Sequence, residues 1–437
     1  MDSSLAQTGF TVLHSFTGGP SDGQRPEGSL IQSGSNLVGM TSGGGSTNNG
    51  SLFRISPDGT GYSVLHFFAG GSSDGSQPPF FGTPLQSGSV FYGVTNSGGS
   101  ANLGAVFRMN SDGTGTNVLH AFVGGSDGRG PQGSLVQSGT TLYGTTTFGG
   151  SADDGTIFRI NTDGSGYSIL HAFSGGSTDG SHPQDSLVQS GSFLYGMTRS
   201  GGAFGFGTIF RVGTDGSGYS VLRSFSDNAT DGGSPWGSLI ASGSTLYGMT
   251  FGGGAFHFGT VFRMEADGSG FNLLHSFEHT STNGSFAFGT PMLSGSRLYG
   301  MTQGGGTSDL GTIFQIDTDG TDFEVIHSFS AGASDGSLPY GTLYQSGSTL
   351  YGTTYGGGSS NLGTIFSLVL PEPSSLVLGS LGLLAVAGWV LSQKGAARIG
   401  VGASDKDRRL SAVAPDLSRR SLRHDLRSHR HPRAISG

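Results

Sequence analysis

A five-residue word recurs seven times along this chain at an almost constant interval. Val12-Leu13-His14-Ser15-Phe16 returns at 64–68, 118–122, 169–173, 221–225, 273–277 and 325–329. Its third residue therefore falls at 14, 66, 120, 171, 223, 275 and 327, a period close to 52 residues. Two further words keep step with it. Leu-Tyr-Gly-Thr-Thr stands at 142–146, and Thr-Ile-Phe-Arg-Ile at 156–160, with close variants in the other copies. A fixed period of this length belongs to solenoids, propellers and arrays, in which each repeat is one unit that buries its apolar face only against its neighbours.

Composition narrows the choice. Glycine is abundant at 84 of 437 residues, and charged residues make up only 11%. The 30 phenylalanines and 12 tyrosines recur in register, which a disordered chain would not show. Short apolar words between Gly, Ser, Asn and Asp clusters read as strands joined by turns. Residues 1–393 hold ten arginines, no lysine and 25 acids, whereas residues 394–437 hold eleven basic residues and four acids. So acidic a body lacks the basic footprint of a nucleic-acid binder. The absence of cysteine excludes disulfides and thiolate metal sites.

Each repeat carries four strand-like words, here called a, b, c and d. In the third repeat they are Ser134–Gln137, Leu142–Thr146, Thr156–Ile160 and Tyr167–Phe173. A tight turn joins a to b, a Gly-rich loop joins b to c, and Asp163-Gly164 marks a hairpin between c and d, because glycine there accepts positive φ. A longer crossover leads from d to the next a. Three hairpins and a crossover describe a four-stranded propeller blade. The chain begins with an orphan d word (Thr11–Phe16) and ends with a, b and c (Thr342–Gln345, Leu350–Thr354, Thr364–Leu368). Pairing the two ends completes a seventh blade and removes the open sheet edges. The expectation is an all-β, seven-bladed propeller over 10–369, preceded by a leader remnant at 1–9. A parallel β-helix is the alternative, but its rungs are shorter and it would not use Asp-Gly hairpins. Strand alternation places the b–c loops and the crossovers together on one rim.

Most of the conspicuous polar residues are repeated, and repetition favours structure over chemistry. The d-word histidines His14, His66, His120, His171, His275 and His327, with Arg223 in the fifth place, lie on separate blades, too far apart to share the ~2.0–2.1 Å bonds of one zinc ion. The c-word arginines, such as Arg159, read as blade bridges or solvent-facing groups. The c–d hairpin acids, such as Asp163, read as turn chemistry. The crossover acids Asp22, Asp74, Asp127, Asp179, Asp231 and Asp335, with Asn283 in the sixth place, form the candidate ligand or cation rim. Calcium is the ion such oxygen-rich loops would take, but no Asp-x-Asp-x-Asp-Gly string accompanies them, and Asx turns explain them equally. No other cofactor is indicated. A catalytic centre would use acids that break the symmetry, among them Glu27, Asp153, Asp154 and Asp185. Asp185 replaces a glycine found at that crossover position in other copies (Gly28, Gly133, Gly237). No pair with the separation that glycoside hydrolysis needs can be identified, and no catalytic residue is assigned.

After the last repeat the text changes. Leu370-Pro371-Glu372-Pro373 is followed by Leu376–Leu391, sixteen residues without charge, and then by Lys394 and Arg398. That run spans about 24 Å as a helix, and the flanking residues 374–393 bring it close to the ~30 Å hydrocarbon core. The basic flank predicts a membrane helix with the propeller outside. Residues 394–437 read as a basic, disordered tail. The segment 370–398 resembles the PEP-CTERM sorting signal, with Pro371, Glu372 and Pro373 as its motif. The repeats over 10–369 resemble the GloVer tandem repeats of choice-of-anchor surface proteins. The resemblance implies exosortase-type sorting machinery as a partner and a place at the cell envelope or in the extracellular matrix. It supplies no catalytic residues. Met1–Gln7 shows no signal peptide. The preferred reading is an exported binding or structural module, with extracellular polysaccharide as a candidate ligand. The alternatives are a secreted propeller hydrolase or lyase acting on polysaccharide, and an intracellular interaction platform.

Overall fold

The computed structural model describes residues 9–371, which form seven four-stranded antiparallel sheets. In blade 3, the strands are Val136–Ser138 (a), Thr141–Thr146 (b), Thr156–Asn161 (c) and Ser168–Ala172 (d), within two residues of the words that predicted them. Blade 7 joins the chain's two ends. Phe10–Ser15 pairs antiparallel with Thr364–Val369, Phe10 opposite Leu368 and Ser15 opposite Thr364, so the orphan d strand lies where the word order placed it. Apart from a single 3-10 turn at Gly125–Asp127, the described residues contain no helix, and none is long and apolar enough to cross a membrane. Glu372, Pro373 and the helix expected over 376–391 lie outside the described residues.

The b and c strands are covered on both faces by neighbouring blades. Their words are therefore nearly continuous apolar runs rather than an in–out alternation, and the last five residues of Thr141–Thr146 are all buried. Seven apolar clusters result, each shared by two adjacent blades. Each phenylalanine that follows a d strand, such as Phe16, Phe122 and Phe173, is fully buried, and each contributes about 1.5–3 kcal/mol. The glycine of the b word makes room for the c-strand ring. A Cβ on Gly144 would stand 2.6 Å from Phe158 Cζ.

The d strand carries a bulge in every blade. In blade 2, Val106 pairs with His120 and Phe107 with Val118, so Leu119 is the extra residue. The same shift falls at Leu13, Leu65, Leu170, Leu222, Leu274 and Ile326. Successive side chains of a regular strand point to opposite faces; a bulge cancels one step and re-aims the residues beyond it. Leu119 and His120 thereby both face the next blade, Leu119 in its apolar cluster and His120 stacked on Tyr167.

Crossovers and b–c loops meet at one end of the ring, as expected, and pair there. Gly23–Gln24 bonds to Gly43–Gly44, and blades 2, 4, 5 and 7 repeat this short ribbon. In blade 6 the ribbon merges into the long strands Gly284–Ser294 and Arg297–Gly305.

Candidate functional site

Three sets of side chains stand out, on the axis, at the outer strands and at the loop end, and geometry separates structural roles from available ones. The first is a ring of seven hydroxyls. The backbone N–H of Ser29 donates to Thr83 Oγ1, Thr83 to Ser134 Oγ, Ser134 to Ser186 Oγ, and Ser186 to Ser238 Oγ. Ser238 then donates to Thr290 Oγ1, Thr290 to Thr342 Oγ1, and Thr342 back to Ser29 Oγ, at 2.7–3.3 Å throughout. The residue before each hydroxyl is glycine in six copies, because the crossovers nearly touch there. A Cβ on Gly237 would lie 1.8 Å from the Gly289 carbonyl oxygen, and one on Gly28 2.0 Å from that of Gly82. The seventh copy has Asp185.

The second set joins the blades at their outer strands. His14 Nε2 lies 3.2 Å from Asp22 Oδ1, and the imidazole stacks on Tyr62 of the next blade at 3.7 Å between centroids. The Tyr62 hydroxyl donates to the same Asp22 oxygen at 2.7 Å, and the Thr17 and Gly23 N–H groups donate to the carboxylate as well. His171, Asp179 and Tyr219 repeat the arrangement. Where Arg223 replaces histidine, its guanidinium binds Asp231 at 2.9 Å and covers the Phe271 ring at 3.4 Å. Where Asn283 replaces aspartate, its Oδ1 meets His275 Nε2 at 3.0 Å. His327 stacks on Phe10, carrying the lock across the chain ends. Burial works to raise the Asp22 carboxyl, but hydrogen bonds from His14, Tyr62 and Thr17 outweigh it and hold it at about 2. Asp179 is likewise held at about 2. Burial pushes His120 and His275 below the usual imidazole value.

The six crossover aspartates expected to line a ligand or cation rim thus sit inside this lock. The carboxylate oxygens of Asp22, Asp74, Asp179 and Asp335 already accept side-chain and backbone donors of their own repeat. Asp127 and Asp231 do so too. A rim ligand would have to displace those bonds. Among the described residues no three His, Asp or Glu side chains gather to hold a metal ion. The hairpin aspartates cap their turns, as Asp163 does by accepting from the N–H and hydroxyl of Ser165. Of the c-strand arginines, read as blade bridges or solvent-facing groups, Arg54 and Arg108 are exposed, and Arg54, Arg159 and Arg211 reach within their own blade, Arg159 Nε donating to Ser168 Oγ on the adjacent strand.

The third set breaks the symmetry. One residue before the small-residue ring stand Glu27, Phe81, Gln132, Gln184, Trp236, Phe288 and Tyr340. Phe81 of blade 2 reaches Trp236 and Phe288 of blades 5 and 6, at 6.3 and 6.4 Å between centroids, and Phe288 meets Tyr340 edge-on. These rings span the axis at the loop end. Glu27 has no ring to offer this cluster and lies in the floor of a rim cleft of about 240 Å³ between blades 7, 1 and 2. Gln24, Asn48, Gln77 and Asn96 supply amides to that cleft; Tyr355, Phe80 and Pro79 supply flat or apolar walls. The Arg25 guanidinium covers Tyr355 at 5.0 Å. Glu27 is 3% exposed, and its Oε2 has no hydrogen-bond partner. Burial pushes its carboxyl up to about 8, against the pull of Ser42 and Arg25. A larger recess of about 390 Å³ lies on the turn face, among Ser33, Asn36, Arg54 and Gln86, but no carboxylate lines it.

These features define a repeat-built, seven-bladed β-propeller whose unrepeated polar groups collect at the loop end and on the axis. The chain belongs to the Gloeobacter/Verrucomicrobia repeat family, whose model matches residues 79–295 and 282–382. No curated protein matches the sequence. An oligogalacturonate lyase from Vibrio parahaemolyticus is similar in structure over 85% of this chain and 96% of its own, at 12% identity and a TM-score of 0.54. TolB from Acinetobacter baumannii is similar over 62% of this chain, at 17% identity and a TM-score of 0.39. The matched region spans 58% of the length of TolB. At these identities the likeness to the lyase speaks for the fold alone.

Proposed function

We propose that this propeller is an exported cell-surface binding module that takes a saccharide in the rim cleft above Glu27. The observation that carries the reading is the buried Glu27 carboxyl, one oxygen of which has no hydrogen-bond partner, bordering a cleft lined by amides and the Tyr355 ring. A carboxyl in that position leaves a hydrogen-bonding need that a ligand hydroxyl fills. Amides satisfy further hydroxyls, and an aromatic face receives the apolar face of a sugar ring. The Pro371-Glu372-Pro373 motif, the uncharged run 376–391 and its basic flank support sorting by exosortase-type machinery, with 374–393 as the membrane segment.

The enzymatic alternative draws on the same residue, since a carboxyl held at about 8 suits a general acid. Hydrolysis of a glycosidic bond uses a second carboxyl, and Glu27 is the single acid among the residues lining the cleft. A glycan array combined with a hydrolysis screen separates the two readings. Retention of a glycan without turnover, weakened in Glu27→Gln and Tyr355→Ala, is the expected result. Product formation that Glu27→Gln abolishes would establish the enzyme instead.

A further inference from the structure

Asp185 stands alone in its surroundings. It is the one non-glycine in the ring of small residues at the axis, it is 5% exposed, and its Oδ1 has no hydrogen-bond partner. It borders a cavity of about 60 Å³ on the pseudo-sevenfold axis, whose wall includes all seven Ser and Thr residues of the ring, with Phe81, Gly289 and Gly341 completing it. No cationic side chain lines this cavity. A cavity holds a water once it offers ~10–15 Å³ by this measure, so there is room for an ion together with water.

The donor set indicates the chemistry. Each ring hydroxyl has two lone pairs, and one already accepts the backbone N–H of the preceding blade. The second lone pair remains for a ligand. The cavity therefore presents one carboxylate and several neutral oxygens, without nitrogen or sulfur. Such sets suit hard cations, whose shells are oxygen and which tolerate water among their ligands. An organic ligand is excluded by volume.

We propose that the axial cavity is a binding site for a single hard, oxygen-liganded cation held by the Asp185 carboxylate and by hydroxyls of the ring. The cation supplies the positive charge that no side chain supplies there. It also accounts for an acid at a position where six other copies have glycine. Burial alone pushes the Asp185 carboxyl up to about 8, so an empty cavity favours the protonated acid and a cation competes with that proton. The site does not depend on the rim cleft, and either can exist without the other.

The test uses full-length protein dialysed against chelator and melted at pH 9 with Ca²⁺, Mg²⁺, Na⁺ or K⁺ at constant ionic strength. Binding to the folded state alone raises Tm as the free cation exceeds Kd. The expected result is a saturable rise with one of these cations, and calorimetry giving one site per chain. Asp185→Asn keeps the shape and removes the charge, and should weaken that cation roughly tenfold or more. If Asp185→Asn does not fold, Asp185→Gly restores the residue of the other six copies and serves in its place. The proposal is overturned if no cation binds the wild type beyond the level of either variant, which would leave the cavity to water.

Discussion

The backbone N–H of Thr342 donates to Ser29 Oγ at 2.7 Å, across 313 residues of chain, and closes a ring of seven equivalent bonds around the axis. Closure is made three times over, at different radii. The Thr342–Ser29 bond makes it at the axis, the Phe10–Ser15 pairing with Thr364–Val369 makes it within blade 7, and the stack of Phe10 on His327 makes it at the outer strands. An open array of seven sheets would instead expose an unpaired edge and two uncovered apolar faces.

Deleting residues 1–17 removes the outer strand of blade 7 and the ring contacts of Phe10 with His327, Phe329 and Phe366. The expected outcome is loss of a single cooperative thermal transition, together with self-association by light scattering. A truncated protein that melts as sharply as the intact one would show that the strand contributes nothing to closure.

The outer lock should tolerate only the substitutions its own copies use. His171→Ala leaves Asp179 without a principal partner and Tyr219 without its stack, and should cost about 1–3 kcal/mol in urea denaturation. His171→Arg copies blade 4 and Asp179→Asn copies blade 5, so each should cost less than the alanine. Equal losses for all three would mean that the stack and the charge pairing are irrelevant.

Two sets of acids give opposite pH dependences. Asp22 and Asp179, held at about 2 in the folded state, lie below their ordinary value of 3.8. Their contribution is present above pH 4 and is lost as pH falls from about 4 toward 2. Glu27 and Asp185 are pushed up to about 8 from 4.5 and 3.8. Between those values the folded state holds protons that the unfolded state has released, so stability falls as pH rises from about 4 to 8. Glu27→Gln should flatten that descent in urea titrations at pH 5, 7 and 9. In chelator-treated protein, Asp185→Gly should raise stability at pH 9. A wild-type profile that does not fall from pH 5 to 9 would contradict the burial of these two carboxyls.

Surface display predicts that full-length protein fractionates with the envelope. The same chain ended at Leu370 should be released from it. Equal recovery of both in the cytoplasmic fraction would favour the intracellular platform.

Much of the architecture was legible because the period repeats the same physical problem seven times. Glycines before the c-strand rings, Asp-Gly hairpins and the unfinished first and last repeats all have local causes. The lock was less legible. His14 and Asp22, His66 and Asp74, and His171 and Asp179 are each eight residues apart, and that constant spacing is the signal that could have joined two sets read separately. The third member, such as Tyr62 over His14, comes from the adjacent blade 48 residues on, and its place depends on how blades pack. Asp185 was visible as an exception to a glycine. Glu27 was visible as one of several acids that break the symmetry, but what sets it apart depends on Phe81, Trp236, Phe288 and Tyr340 at the same offset in other copies, and on a cleft that forms only when blades 7, 1 and 2 pack together.

On the proposed function, ligand enters at the loop rim over Glu27. Hydrogen–deuterium exchange, measured with and without the glycan that the array retains, tests it most directly. Protection is expected at residues 24–27, 42–48 and 77–80, and none for Glu27→Gln at the same glycan concentration. Protection at residues 33–36 and 86–89 on the turn face, or failure of every glycan to be retained, would contradict it.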